Sequence, residues 1–405
     1  MLLYDLGIFL FKFLLSVGSI FNKKAQQGLQ GRKDALKQLK NDLSHLEGAV
    51  FIHCASLGEF EQGRPLIEQL SNENQKIVLS FFSPSGYEIR KNYSHADQVI
   101  YLPFDTKRNA INLLETLKPK AILIIKYDLW YHFLHQASLR KIPLFLISSS
   151  FKKEFAFFKS YGGLFRKMLR FFDKIYVQEA ESKTLLESIH VDSTISGDTR
   201  IDRVLQIAKK AQSYPKVEAF TAQSHCLIAG STWPKDEALL HLLSQKECFA
   251  DWKMIIAPHD VGEAHIQSIL SLFGHQAIRY TELKHQSHHQ ILIIDNIGML
   301  SGIYRYGNLA YIGGGFGQGI HNILEPAAFN LPILTGPKIE KFPEAKELNQ
   351  SGGARVIENE NELTQAFEFF TKAENLAKAK QEISKYLNRN QGASEMVLKE
   401  VKKFV

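Results

Sequence analysis

Short, continuous apolar runs alternate with helix-length amphipathic segments through most of the chain. Runs at 50–54, 76–82, 98–102, 121–125, 144–148 and 174–178 predict strands in the first half. The second half restarts the pattern at 225–230, 253–257, 291–295, 309–313 and 332–335. Strands without polar alternation, separated by helices, predict parallel sheets covered on both faces. Two such series predict two doubly wound α/β domains, joined near residues 202–215. The length agrees: 405 residues exceed one core, because single cores stop growing near about 250–300 residues. Ligands in this architecture bind outside the carboxyl ends of the strands. The residues just after each strand are therefore the ones to read for chemistry.

The amino terminus departs from the alternation. Residues 2–21 read LLYDLGIFLFKFLLSVGSIF, close to the roughly 20 apolar residues of a membrane span but interrupted by Asp5 and Lys12. The flanks of a signal peptide are missing. Three readings stay open: a tilted single anchor, an interfacial helix with Asp5 and Lys12 on its wetter side, or an ordinary buried helix. Lys23, Lys24, Arg32 and Lys33 follow and suit an anionic cytoplasmic leaflet. Membrane association through residues 1–24 is the favoured expectation, with the bulk of the chain in the cytoplasm. A second region, FKKEFAFFKSYGGLFRKMLRFFDK at 151–174, carries seven Lys/Arg and eight Phe/Tyr. It suits an acidic amphiphile or single-stranded nucleic acid; alternatively its aromatics face the core. Overall, 49 Lys and Arg against 42 Asp and Glu give +7, a mild bias toward an anionic partner. Three scattered cysteines (Cys54, Cys226, Cys248) fit a reducing compartment and offer no thiolate metal cage.

Several strand ends hold candidate chemistry. Ser56-Leu57-Gly58-Glu59 follows the first run, and Glu59 is either a helix-terminal charge or a general base projecting from a rigid turn. Asp128 sits at the same sheet edge, either as a second site carboxylate or as a helix cap. In the second half, LAYIGGGFGQGIHNILE at 309–325 runs a strand into a loop of five glycines and then a helix near Pro326. Such a loop cradles a phosphate or sugar with backbone N–H groups, with His321, Asn322 and Glu325 facing it. It fits neither GxGxxG nor GxxxxGK[ST]. Gly230-Ser231-Thr232-Trp233, Ala257-Pro258-His259 and Asp295-Asn296-Ile297-Gly298 also end strands. No D-x-D occurs, and the tract of His285, His288 and His289 lacks the spacing of a zinc site. No metal or cofactor is expected.

In order along the chain stand SLGE at 56–59, SPSG at 83–86, GSTW at 230–233, IGGG…HNILEPAAF at 312–329 and Gly336-Pro337 with Phe342. This set resembles the 3-deoxy-D-manno-octulosonic acid (Kdo) transferase family of lipopolysaccharide synthesis. The resemblance covers nearly the whole chain. It implies an inverting glycosyltransferase of the GT-B type, two Rossmann-like domains facing a central cleft. Residues 25–205 would bind the acceptor and 206–385 the CMP-Kdo donor, with 386–405 a helix returning to the first domain. The implied partners are CMP-Kdo, a lipid A precursor and membrane lipid, with no nucleic acid, at the cytoplasmic face of the inner membrane. Carried over residue by residue, Glu59 matches the general base, and Asp128 and Arg200 match residues beside the reaction centre. Pro258, His259, Ile297, Gly298, Met299, Asn322, Ile323, Leu324 and Glu325 match segments that hold CMP. Ser56, Gly58, Ser231, Thr232, Gly314 and His321 lie nearby. The chain departs from the family at Lys126-Tyr127-Asp128-Leu129-Trp130, where E-T-E-L-W is usual. It also has His259 for Arg, Arg200 for Lys and Met299 for Glu, so Met299 offers only its backbone. Two rival readings are a GT-B enzyme using a nucleotide-diphosphate sugar and a non-catalytic lipid-binding protein on the same fold.

Overall fold

The computed structural model describes residues 2–41, 43–222, 224–284 and 287–405. One sheet comprises β1 (Val50–Cys54), β2 (Ile77–Phe81), β3 (Gln98–Tyr101), β4 (Ala121–Ile125), β5 (Leu144–Ser149), β6 (Lys174–Val177) and β7 (Thr194–Ile195). Its order is β3-β2-β1-β4-β5-β6-β7, and every pairing is parallel. The other comprises β8 (His225–Thr232), β9 (Trp252–Pro258), β10 (Ala277–Arg279), β11 (Ile291–Ile293), β12 (Leu309–Ile312), β13 (Ile333–Thr335) and β14 (Ala354–Val356). These run in the order β10-β11-β9-β8-β12-β13-β14, again all parallel. Every strand expected from an apolar run is present. The unexpected β7, β10 and β14 are all sheet edges. Each is only two or three residues long and partly exposed, so it leaves no apolar run to read.

The chain forms two compact units, one through Asp202 together with Asn390–Val405, the other Arg203–Arg389. The first crossing meets the joint near 202–215 read from the pattern, and both lie within a few residues of the 205 and 385 implied by the resemblance. They fall within helix Thr199–Lys209 and at the end of helix Ala373–Asn390, where no linker composition marks them. In the first unit, helix Ala393–Val401 buries Val397, Leu398 and Val401 among residues of β1, β2 and β4. The Asp202 carboxylate accepts from the Gly392 and Ser394 N–H groups, each at 2.6 Å, and fixes the start of that helix.

The amino-terminal helices are held by polar contacts as well as apolar ones. Helix α1 spans Leu2–Gly18 and α2 spans Lys23–Asn41. The Tyr4 hydroxyl donates to buried Asp105 at 2.6 Å and accepts from the Tyr131 N–H. Asp105 also accepts from the His132 and Phe133 N–H groups, which open helix Tyr131–Leu139. Asp5 meets His132 Nε2 at 2.6 Å. Burial pushes the Asp105 carboxyl up, against the pull of these donors. Asp5 is therefore a docking group and not simply the wet side of a helix. On α1 only Ile8 is buried, while Leu2, Leu3, Leu6, Phe9, Phe13 and Leu14 stand exposed. This is not an ordinary buried helix, and no helix among the described residues is long and apolar enough to cross a membrane.

Two basic-patch expectations also change. Arg32 is buried, not membrane-facing: its guanidinium lies 4.3 Å from the Phe82 ring centroid and donates to the Gly28 and Phe82 carbonyls. In the 151–174 region, Phe151 and Phe157 are core, and Phe155, Phe158, Phe171 and Phe172 pack against it. Only Tyr161 and Phe165 of the eight are exposed. The aromatic spacing there serves packing.

Tyr4→Phe tests the docking of α1. It leaves buried Asp105 short of a donor, so the expected loss is about 1–3 kcal/mol, read as a lower urea midpoint with faster amide exchange across α1. An unchanged midpoint would show that Tyr4 does not hold the helix.

Candidate active site

In the first sheet the strand order reverses between β1 and β4, the place where doubly wound sheets bind ligands. After β1 the chain passes Ala55 and Ser56 into α3 (Leu57–Asn72), with Ser56 as the extended residue before the first turn. Glu59 is the third residue of that helix, partly exposed, and its carboxylate accepts from the Ser56 hydroxyl. Gly58 is exposed beside it. After the neighbouring β4 the backbone turns through Lys126 at φ +65°, a left-handed conformation, into Tyr127 and Asp128. Burial raises the Tyr127 pKa, and the nearby charge of Glu59 raises it further. The Glu59 turn and the Tyr127-Asp128 turn are thus electrostatic neighbours.

Asp128 is not a helix cap. The next helix starts at Tyr131 with Trp130 before it, and Asp128 instead meets His53 Nε2 at 2.8 Å. His53 is completely buried on β1, and its Nδ1 lies 2.7 Å from the Ser80 hydroxyl of β2. Arg32 completes the surroundings. Burial pushes its pKa down to about 10, while the charges of Tyr101 and Asp128 act in the opposite direction. Sequence reading missed His53, Ser80 and Arg32. The available signal was a polar residue inside each of two otherwise apolar strands, His53 and Ser80, at partnered register positions. Arg200 is the second residue of helix Thr199–Lys209 and binds Asp198 through Nε at 2.8 Å and a terminal nitrogen at 2.5 Å.

The second sheet reverses between β8 and β12. Ser231 at the end of β8 adopts φ +53°. Gly313 passes so close that a Cβ there would lie 2.4 Å from the Ser231 carbonyl oxygen. Thr232 is buried and donates to Glu237, so its hydroxyl is structural. Buried Asp236 ties the two strand ends together. It accepts from the Trp233 N–H at 2.9 Å, the Gly314 N–H at 3.0 Å and the Tyr311 hydroxyl at 2.8 Å. Burial raises the Asp236 pKa against these three donors. Asp236 was not singled out from sequence, where it reads as an ordinary first-turn acid.

Around the loop, Trp233, His259 and His321 form a stack, with ring centroids 4.6 Å and 4.5 Å apart. Pro258 ends β9, and the His259 N–H donates to the Thr232 carbonyl. Trp233 Nε1 donates to His321 Nε2 at 3.1 Å, which places the His321 ring proton on Nδ1 in the neutral form. Burial, then the neighbouring His259, lowers the His321 pKa. Gly298 adopts φ +97° with exposed Ile297 before it, while the Met299 side chain is buried. Ile323 and Leu324 are likewise core side chains and offer a ligand only backbone. The helix near Pro326 is Leu324–Ala328, five residues long, too short for a helix dipole to matter, so any phosphate there would be met by loop amides. Asn322 donates to Glu325 at 3.0 Å. Burial raises the Glu325 pKa, while Asn322 and the charge of Arg203 pull it back. Of the His-rich tract, His285 lies outside the described residues. Among the described residues no three His, Cys, Asp or Glu are grouped to hold a metal ion.

Residues 25–203 match a family model described as 3-deoxy-D-manno-octulosonic-acid transferase (kdotransferase). A protein of Aquifex aeolicus named 3-deoxy-D-manno-octulosonic acid transferase is 26% identical over 351 residues, covering 85% of this chain and 90% of that one. Others at similar identity carry the same name. Among solved structures, the UDP-GlcNAc 2-epimerase of Neisseria meningitidis aligns with TM-score 0.61 and 14% identity, covering 88% of this chain and all of that one. MurG of Acinetobacter baumannii aligns with TM-score 0.58 and 12% identity, covering 88% and 98%. These structural likenesses show the fold, two Rossmann-like units of the GT-B type.

Glu325 yields a test with a definite sign. A carboxyl whose pKa folding raises adds most stability below its unfolded value, near 4.5, and loses that contribution as pH rises through the folded value. Glu325→Gln is therefore expected to raise the melting temperature at neutral pH, with the gain fading once pH falls below the unfolded value. A lower melting temperature at neutral pH would contradict this account of the site.

Proposed function

We propose that the chain is a member of the Kdo transferase family and acts as an inverting glycosyltransferase, moving Kdo from CMP-Kdo to the glucosamine disaccharide of a lipid A precursor. The observation that carries the mechanism is Glu59 at the carboxyl edge of β1, beside the turn that presents Asp128 after β4. In this reading Glu59 takes the proton from an acceptor hydroxyl as that oxygen bonds to the anomeric carbon of Kdo. The bond from that carbon to the phosphate oxygen breaks, and CMP leaves with the electron pair. Backbone N–H groups of residues 313–319 meet the charge on the departing phosphate. Arg200 contributes by sharing its guanidinium between Asp198 and the reacting anions. Asn322 and Glu325 hold donor hydroxyls, and the Trp233–His259–His321 stack borders the same edge. The reading calls for no metal or cofactor, since a monophosphate leaving group carries less charge than a diphosphate.

The same proposal places the protein at the cytoplasmic face of the inner membrane. The exposed apolar side of α1 supports this, as does one cation in the same neighbourhood. Tyr4 of α1 lies 5.8 Å from the Tyr131 ring, over which Lys167 Nζ sits at 5.4 Å. A helix lying in the interface with basic groups beside it binds anionic lipid by both terms.

Mass spectrometry of a lipid A precursor incubated with CMP-Kdo and the protein is the direct test. A mass increase of Kdo supports the proposal, and turnover of UDP-sugars without CMP-Kdo overturns it. Glu59→Gln keeps shape but cannot accept the proton, so turnover should fall about 10²–10⁴-fold with CMP-Kdo affinity nearly intact. If Glu59 is only a helix-terminal charge, turnover stays normal and stability falls by about 0.3–1 kcal/mol. For the membrane, Phe9→Glu with Phe13→Glu should abolish flotation with anionic vesicles at unchanged melting temperature, because these side chains are 68% and 56% exposed. Continued flotation would move the lipid contact elsewhere.

A further inference from the structure

β1 is apolar except at His53, and β2 is apolar except at Ser80. The two residues are register partners on adjacent strands inside the sheet, both with no solvent exposure. Burying an imidazole and a hydroxyl in a parallel sheet is unfavourable unless both are bonded. Here they bond to one another through Nδ1 at 2.7 Å. The other ring nitrogen reaches Asp128 at 2.8 Å, the only described side-chain hydrogen bond of that carboxylate. An ionised carboxylate only accepts, so Nε2 carries a proton. Ser80 then either donates to Nδ1 of a neutral ring or accepts from an imidazolium. Serine, histidine and aspartate together suggest a nucleophile triad, but Ser80 lies inside the sheet where no substrate reaches its oxygen. The chain of bonds has one accessible end, Asp128, whose side chain is 24% exposed.

We propose that His53 is a positioning residue for the transfer reaction, clamped by Ser80 and holding Asp128 in one orientation at the reversal of the first sheet. This rests on reading Asp128 as a neighbour of the reaction centre. Asp128 follows a turn with a left-handed residue and does not cap the next helix, so His53 is the described hydrogen-bond partner that fixes its direction. With Oδ2 fixed by His53, the other carboxylate oxygen has a defined place from which to meet a substrate hydroxyl or a developing positive charge. Displacement of a positioned group by about 1 Å can cost about 10²-fold in rate, which is the scale expected here.

The test uses the full-length protein with CMP-Kdo and lipid acceptor, and compares three variants. Removing both buried partners, His53→Leu with Ser80→Ala, leaves no orphaned hydroxyl and so protects folding. Its kcat should fall about 10²-fold while the KM for CMP-Kdo stays within about twofold. His53→Gln places an amide donor near the Nε2 position and should recover most of that loss. Asp128→Asn should lower kcat at least as much as the double variant. Ring-labelled histidine NMR gives a readout apart from activity: the His53 resonances, identified by their loss in His53→Gln, should show a protonated Nε2 and should move in Asp128→Asn. A normal kcat in the double variant with a damaged Asp128→Asn overturns the positioning role and leaves the proposed function standing. Normal turnover in both removes Asp128 from the reaction centre and the inference with it. A loss that appears in KM alone, or that only follows a fallen melting temperature, also overturns it.

Discussion

At the reversal of each sheet, neighbouring parallel strands send their chains in opposite directions, and the space beyond their carboxyl ends is left uncovered. That constraint organises both sites. β1 and β4 release Glu59 and Asp128 at one edge, while β8 and β12 release Ser231–Trp233 and the glycine loop at the other. A shift of one residue exchanges the two faces of a strand. Register therefore sets which side chains meet. His53 faces Ser80 because Val50 pairs with Ile77, and Gly313 passes Ser231 because Ile312 pairs with Gly230.

Both edges are braced by a buried polar group. Asp236 gathers three donors from two strand ends, and His53 links β1, β2 and the turn after β4. Such groups are tolerated only when their bonding is satisfied, and then they specify one arrangement where an apolar core would allow several. Glu325 is different in kind. Burial disfavours its charged form at neutral pH, so this carboxylate costs the fold stability. Residues of that sort concentrate where ligands bind.

Much of this was legible in the chain. Continuous apolar runs marked the interior strands, because a strand buried on both faces has no polar positions to confuse the reading. The edge strands β7, β10 and β14 escaped, since partial exposure removes the run. Hydropathy also misjudged where side chains point. Arg32 looked like a membrane cation and is buried against Phe82. Asp5 interrupts an apolar helix yet docks it through His132, and most phenylalanines of 151–174 turn to the core. In each case the deciding partner lies far along the chain, where no local pattern records it. The glycine loop was readable from its composition. The need for Gly313 in particular, to clear the Ser231 carbonyl, was not.

The fold itself does not choose the chemistry. An epimerase and MurG share the architecture at 12–14% identity, and what separates proteins on one scaffold is the small set of polar residues at the strand ends. A valine or isoleucine at position 53 would suit a parallel strand whose other residues are Val50, Phe51, Ile52 and Cys54. Packing alone would favour it, since an imidazole needs partners on both ring nitrogens to be buried there. The chain instead supplies those partners, one inside the sheet and one at its open edge. A residue that breaks the local rule and is then fully satisfied points toward what it touches. Here that is Asp128, on the turn next to Glu59, for which the base role is proposed.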